Sequence, residues 1–71
     1  MKVELLGRAW CHLCEEMAQG LRAAGIEFDE VDVDSDQRLE ERYGEDVPVL
    51  LKDGAEVCRH RLTPEALAKL R

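Results

Sequence analysis

Long apolar runs, internal repeats, linkers and low-complexity segments are all missing from this sequence. No apolar stretch approaches the ~18 residues of a membrane-spanning helix. Met1-Lys2 leads into a strand-like segment without the apolar core of a signal peptide. We therefore expect a cytoplasmic protein that has no membrane partner. Because nothing divides the chain, residues 1–71 are expected to form one domain, which we also expect to be a monomer.

Basic side chains are scarce relative to acidic ones. Ten Lys and Arg residues stand against sixteen Asp and Glu residues, which gives a formal net charge of −6 at pH 7. A surface this acidic argues against nucleic acid or an anionic membrane as the main partner. The hydrophobic fraction of 45% is ordinary for a globular protein and too high for a disordered chain.

The chain has three cysteines, and two of them lie in one short motif, Trp10-Cys11-His12-Leu13-Cys14. Cysteines at this spacing share one face of a helix that begins at or just before the first of them. The first thiol then lies where unpaired backbone N–H groups and the helix dipole stabilise a thiolate. The second is close enough to attack a mixed disulfide formed by the first. The motif therefore suits dithiol–disulfide exchange, although the same spacing also forms half of many zinc sites.

Two kinds of apolar pattern alternate along the chain. Short runs without helical spacing predict strands, and apolar residues that recur every three or four positions predict helices. The resulting order is β-α-β-α-β-β-α, an α/β fold with a four-stranded mixed sheet and helices on both faces. The expected strands cover residues 3–6, 26–33, 47–51 and 55–61, and the expected helices lie within 11–24, 34–44 and 63–70.

The last two strands are predicted to form a hairpin. Asp53-Gly54 is a strong signal for a two-residue turn. If pairing continues without interruption from that turn, Cys58 lies opposite Val49 and His60 lies opposite Val47. The end of the fourth strand is then near the two cysteines of the motif.

That placement leaves an alternative function open. Cys11, Cys14, Cys58 and His60 are a possible S₃N ligand set for tetrahedral zinc. The spacing of Cys58 and His60 is tighter than usual for zinc ligands, which disfavours this hypothesis. A second alternative, a binding module without turnover, is disfavoured because both thiols of the motif are present.

The motifs taken together resemble a known family. A strand, then W-C-x-x-C opening a helix, then a second β-α unit, then Val47-Pro48 before a hairpin, is similar to a minimal thioredoxin fold of glutaredoxin size. The resemblance covers essentially the whole chain and is nearest to the small bacterial glutaredoxin-like proteins. It implies that the bond before Pro48 is cis and lies against Cys11 and Cys14. It also implies that the backbone of Val47 pairs with an extended peptide or with glutathione.

Departures from the glutaredoxin pattern bear on glutathione. Glutaredoxins usually carry a lysine shortly before the first cysteine and a proline after it, whereas this chain has Arg8 and His12. They also tend to carry Gly-Gly and an acidic residue where the last helix begins, at the site of glutathione's γ-glutamyl carboxylate. This chain has Leu62-Thr63-Pro64 there, and Pro64 has no backbone N–H to donate. We therefore expect weak use of glutathione and a preference for protein disulfides or another small thiol.

The sequence thus predicts a thiol–disulfide oxidoreductase that takes part in cellular redox balance. Cys11 is the predicted nucleophile and Cys14 the predicted resolving thiol. No cofactor is expected to be bound permanently, and the expected reductant is glutathione, another thiol or a reductase. The expected substrate is a disulfide-bearing protein or a small thiol compound, with candidate contacts at Trp10, His12, Leu13, Val47, Pro48 and Thr63.

Overall fold

The computed structural model describes all 71 residues, with four strands and three helices in the predicted order. A single 3-10 turn, Val33–Ser35, follows the second strand. None of the helices has the length and apolar character needed to cross a membrane. The elements are β1 Val3–Gly7, α1 His12–Ala23, β2 Asp29–Asp32, α2 Gln37–Tyr43, β3 Val49–Lys52, β4 Ala55–Arg59 and α3 Pro64–Lys69.

The four strands form one mixed sheet with the order β2-β1-β3-β4. β1 and β2 are parallel, whereas β3 runs antiparallel to both β1 and β4. Four strand termini therefore meet at one end of the sheet: the carboxyl ends of β1, β2 and β4 and the amino end of β3. The loop that carries the two-cysteine motif leaves β1 at this end of the sheet.

Apolar side chains cover both faces of the sheet, as predicted. Alternate residues of a strand point to opposite faces, so Leu5 and Leu50 face α1 and α3, whereas Leu6 and Val49 face α2. The α1/α3 core has eight buried members: Val3, Leu5, Met17, Ala18, Leu21, Ile26, Leu50 and Leu70. The α2 core has four: Leu6, Val33, Val49 and Leu51.

The second strand is shorter than predicted. The apolar run at 26–33 indicated a strand over its whole length, but β2 contains only Asp29–Asp32. β2 is an edge strand that pairs with β1 alone, and that pairing begins at the Glu4–Asp29 pair. Ile26 lies before the ladder and packs in the α1/α3 core, while Val33 lies after it and packs in the α2 core.

The register of the last hairpin differs from the prediction because β4 contains a bulge. Lys52 pairs with Ala55 as the Asp53-Gly54 turn requires, but the register shifts between Leu50 and Leu51. The extra residue on β4 is Val57, and as a result Cys58 lies opposite Leu50 rather than Val49.

The predicted pairing of His60 with Val47 is wrong for the same reason. Arg59 is the last residue of β4 and lies opposite Val49. His60 comes after the strand, and its backbone N–H donates to the carbonyl of Pro48 at 2.8 Å.

Candidate active site

Cys11 occupies the N-cap position of α1. Its backbone is extended, with φ −97° and ψ 106°, and the helix begins at the next residue. The backbone N–H of Cys14 donates to Cys11 Sγ at 3.2 Å. A side chain at the N-cap satisfies amide groups that the first helical turn leaves unpaired, and a negatively charged sulfur accepts such a bond more strongly than a thiol does. The structure thus places the first cysteine where the sequence analysis expected it.

The two cysteines of the motif lie together but differ in accessibility. Their sulfurs are at disulfide-bonding distance, and their Cα atoms are 5.2 Å apart. Cys11 is partly exposed, whereas Cys14, in the first turn of α1, is only 8% exposed. An incoming sulfur therefore reaches Cys11 more easily than Cys14.

Gly7 is a site residue that the sequence analysis missed. The last residue of β1 lies directly against Cys14, so that a Cβ atom on Gly7 would be 3.0 Å from Cys14 Sγ and 3.2 Å from Cys14 Cβ. The absence of a side chain is what lets the helix seat its second cysteine against the strand. The sequence showed only a glycine at a strand end, because the neighbour that needs the space is defined by tertiary packing.

Val47 and Pro48 lie beside the loop that leads to Cys11. Their peptide bond is cis, as the family resemblance implied. Leu6 pairs with Val49, so the residues just before Val49 run alongside the segment that leaves β1. Pro48 is buried and its carbonyl accepts the N–H of His60, but the N–H and C=O of Val47 have no hydrogen-bond partner within the chain. The backbone of Val47 is therefore free to pair with another chain.

The loop before Val47 is held by a surface ion-pair network. Arg59 Nη1 lies 3.0 Å from Asp46 Oδ2, and the same guanidinium binds the carboxylate of Glu56. The hydrogen bond from Arg59 lowers the pKa of Glu56 below its ordinary value, and Glu56 raises the pKa of Arg59. The network joins β4 to the residue that precedes Val47.

Three predicted substrate contacts stand out from the surface around Cys11. Trp10 is fully exposed and has a left-handed backbone with φ +62°. The side chain of His12 is 83% exposed, and its Nε2 atom lies 3.4 Å from Glu16 Oε1. Leu13 is an exposed apolar residue. All three are accessible to a partner.

Thr63, the last predicted contact, has a structural role at the start of α3. Its Oγ1 atom accepts the backbone N–H of Ala66 at 3.1 Å, and Pro64 is the first helical residue, as predicted. Thr63 also lines a groove of about 540 Å³ between α1 and α3, the α3 groove. The predicted contact Leu13 lines the same groove, together with His60 and Arg61.

The structure contradicts the alternative zinc site. No three His, Cys, Asp or Glu side chains anywhere in the chain come together as metal ligands. Cys58 packs against the α1/α3 core, where burial raises the pKa of its thiol above the ordinary value of 9.0. The bulge in β4 also places Cys58 opposite Leu50, one residue further from the amino end of β3 than the uninterrupted register predicted.

Arg8, the cation nearest to Cys11 in the sequence, forms an ion pair with Asp34. Its Nη2 atom is 2.8 Å from Asp34 Oδ1, and it lies against the bare backbone of Gly44, where a Cβ atom would be 3.2 Å away. Arg8 Nε is the one buried side-chain nitrogen or oxygen without a hydrogen-bond partner. The guanidinium thus ties the loop before Cys11 to the segments on either side of α2.

Known proteins resemble this chain in sequence as well as in fold. The sequence model of the glutaredoxin-like domain (DUF836) matches residues 2–70. The chain belongs to this glutaredoxin-like family. No curated protein matches the sequence. This glutaredoxin-like domain thus has a partly exposed Cys11 at a helix start and a cis bond before Pro48.

Solved structures show the same fold for this glutaredoxin-like chain. Protein XcR50 from X. campestris is 35% identical, with a TM-score of 0.83 over 96% of this chain and 93% of that one. Protein Ne2328 from Nitrosomonas europaea is 32% identical, with a TM-score of 0.83 over 99% and 91%. A point mutant of the thioredoxin-like protein BC3987 is 23% identical, with a TM-score of 0.69 over 97% of both chains. The predicted minimal thioredoxin fold is confirmed.

Proposed function

We propose that this glutaredoxin-like domain is a thiol–disulfide oxidoreductase that works through the dithiol of Cys11 and Cys14. The observation that carries the proposal is the unequal placement of the two sulfurs. Cys11 Sγ is accessible at the N-cap of α1 and accepts the N–H of Cys14 at 3.2 Å, while Cys14 lies buried against Gly7. This is the arrangement that a nucleophilic thiol and a resolving thiol need.

The reaction begins with the thiolate of Cys11. It attacks one sulfur of a substrate disulfide and forms a mixed disulfide, and the other substrate sulfur leaves as a thiolate that takes a proton from water. The Cys14 thiol gives its proton to solvent base and attacks Cys11 Sγ. The second substrate sulfur then leaves, and the domain keeps the disulfide between Cys11 and Cys14. Two electrons have moved to the substrate, and two equivalents of an external thiol or one reductase dithiol restore the starting state.

The backbone of Val47 is the proposed docking point for the substrate. Its unpaired N–H and C=O can add an extended segment as a further strand beside the reacting sulfurs. Each such backbone hydrogen bond contributes about 0.5–1.5 kcal/mol net. Trp10, His12 and Leu13 surround Cys11 on the exposed surface and complete the proposed contact area.

Glutathione is proposed to be a poor substrate because the residues near α3 do not suit its carboxylate. Pro64 has no N–H, and Thr63 Oγ1 is already used by Ala66 N–H. A lost charge-assisted hydrogen bond costs about 1.5–3 kcal/mol, whereas an exposed ion pair to Arg61 would return only ~0–1 kcal/mol. We accordingly propose protein disulfides or another small thiol as substrates of a cytoplasmic monomer that binds no permanent cofactor.

Two single variants test the assignment of roles. Cys11→Ser should abolish reduction of hydroxyethyl disulfide, because the nucleophile is gone. Cys14→Ser should accumulate a covalent adduct of one substrate half on Cys11, visible by mass spectrometry. Cys58→Ser is the matched control and should retain activity, because Cys58 is a free, partly buried cysteine outside the pair that packs against the α1/α3 core. An active Cys11→Ser variant, or an adduct on Cys14, would reverse the roles.

A further inference from the structure

A second groove lies on the side of α1 that faces β2, and it opens at the proposed reactive pair. It has a volume of about 680 Å³, and Trp10 and Cys14 both line it. Its apolar lining includes Leu5 and Ala18. We call it the Trp10 groove. It is distinct from the α3 groove, which runs along the opposite side of α1.

The charges around the Trp10 groove do not cancel. Arg22, which lines the groove, forms an ion pair with Glu30 at 2.7 Å. Arg8 is likewise paired with Asp34 at 2.8 Å. No cation lies within ion-pair distance of the two remaining carboxylates of the lining. These are Glu15 and Asp32, and Asp32 Oδ1 accepts only a backbone N–H.

The α3 groove has no such excess of negative charge. It is lined by Arg61 and His60, and its one carboxylate, Glu16, faces the imidazole of His12. The excess negative charge beside the cysteine pair is therefore confined to the β2 side of α1.

Trp10, which lines the negatively charged groove, is an exposed aromatic residue. Its ring is fully exposed, and its backbone has φ +62°, a conformation that bulky residues rarely adopt. An exposed indole face attracts ammonium and guanidinium groups, more strongly as they lose water. The alkyl part of a Lys or Arg side chain can meanwhile lie along the accessible apolar residues of the lining, Ala9 and Val31.

We propose that the Trp10 groove binds a Lys or Arg side chain of a protein substrate, so that the domain selects disulfides flanked by basic residues. The inference rests on the proposed oxidoreductase function and specifies its substrate class. The cationic group lies over Trp10 and between the carboxylates of Glu15 and Asp32. The net charge of −6 draws the same substrates towards the domain before contact.

Three synthetic peptides test the proposal. Each is closed by one disulfide and carries Lys, Gln or Glu beside both cysteines, with no other difference. The reduced domain is mixed with each peptide in single turnover, quenched with acid and thiol-alkylated, and the second-order rate constants are measured by mass spectrometry. At low ionic strength the Lys peptide should react about tenfold faster than the Glu peptide. In about 1 M salt the ratio should approach one.

Matched variants separate the effect of the groove on the rate ratio from the effect of the net charge of the domain. Glu15→Gln should lower the Lys-to-Glu rate ratio about two- to threefold. Glu27→Gln removes the same charge from the loop before β2, at the far end of the sheet, and should leave the ratio nearly unchanged. Trp10→Leu keeps an apolar side chain but loses the aromatic face, and should slow the Lys peptide relative to the Gln peptide.

The outcomes distinguish a failure of the proposed groove from a failure of the proposed oxidoreductase function. Equal rates for the three peptides, or equal effects of Glu15→Gln and Glu27→Gln, would overturn the proposed groove and leave the oxidoreductase function standing. Failure to reduce any of the three peptides would instead contradict the oxidoreductase function itself.

Discussion

Gly7→Ala perturbs the contact between β1 and Cys14 without replacing either cysteine. The new Cβ atom would be 3.0 Å from Cys14 Sγ, closer than side-chain carbons normally approach. In the disulfide, Cys14 Sγ is bonded to Cys11 and cannot move away. In the dithiol, Cys14 is free to change its χ1 rotamer. The substitution should therefore destabilise the oxidised state more than the reduced state.

The expected size follows from the cost of overpacking. An extra methyl group in a tightly packed position costs about 1–3 kcal/mol. Rotation of the free thiol removes part of that cost in the reduced state, which leaves a difference of about 1–2 kcal/mol between the two states. For a two-electron couple this corresponds to a reduction potential that is about 20–45 mV higher in the variant.

Equilibration in buffers of reduced and oxidised dithiothreitol, followed by alkylation and mass spectrometry, measures the potential directly. Gly25→Ala is the matched control. It introduces strain at φ +74°, but nothing lies within 4 Å of its Cβ atom, so it should destabilise both redox states equally and leave the potential unchanged. An unchanged or lower potential in Gly7→Ala would refute the contact as the reason for glycine at position 7.

Three further predictions concern the stability of the fold and the use of glutathione. Thr63→Ala should lower the free energy of unfolding by about 1 kcal/mol in chemical denaturation, whereas Thr63→Ser should retain the cap and most of the stability. Burial raises the pKa of Cys58 above 9.0, so the folded state holds that proton more tightly. The free energy of unfolding should therefore fall as pH rises above about 9, and Cys58→Ala should reduce that slope in denaturation curves across this range. Glutathione should support turnover with a kcat/KM roughly ten- to a hundredfold below that of a dithiol glutaredoxin assayed beside it. Equal values would show that another group of the domain binds the γ-glutamyl carboxylate of glutathione.

Features that depend on a few neighbouring residues were predictable. Cys11 at the N-cap, Thr63-Pro64 at the start of α3 and the Asp53-Gly54 turn are all observed. Each is determined by backbone groups within four residues along the chain, so the local sequence contains the necessary information. The family resemblance added the cis bond at Pro48, which no local pattern indicates.

Features that depend on distant partners were not predictable in the same way. The bulge at Val57 has no signal in the hairpin sequence, and it moved Cys58 by one position relative to β3. The bond of Arg8 to Asp34 joins residues 26 positions apart. The role of Gly7 likewise requires knowing that Cys14 packs directly against the strand. Pairing register and side-chain neighbours across the sheet are properties of the packed fold.

The central claim is that Cys11, and not Cys14, is the attacking thiol. Competitive alkylation tests it most directly. The fully reduced domain is treated near pH 7 with less than one equivalent of iodoacetamide, and the modified cysteine is identified by mass spectrometry. Label on Cys11 well ahead of Cys14 and Cys58 is the predicted result, because only Cys11 combines accessibility with the helix N-cap position. Faster labelling of Cys14 would contradict the claim.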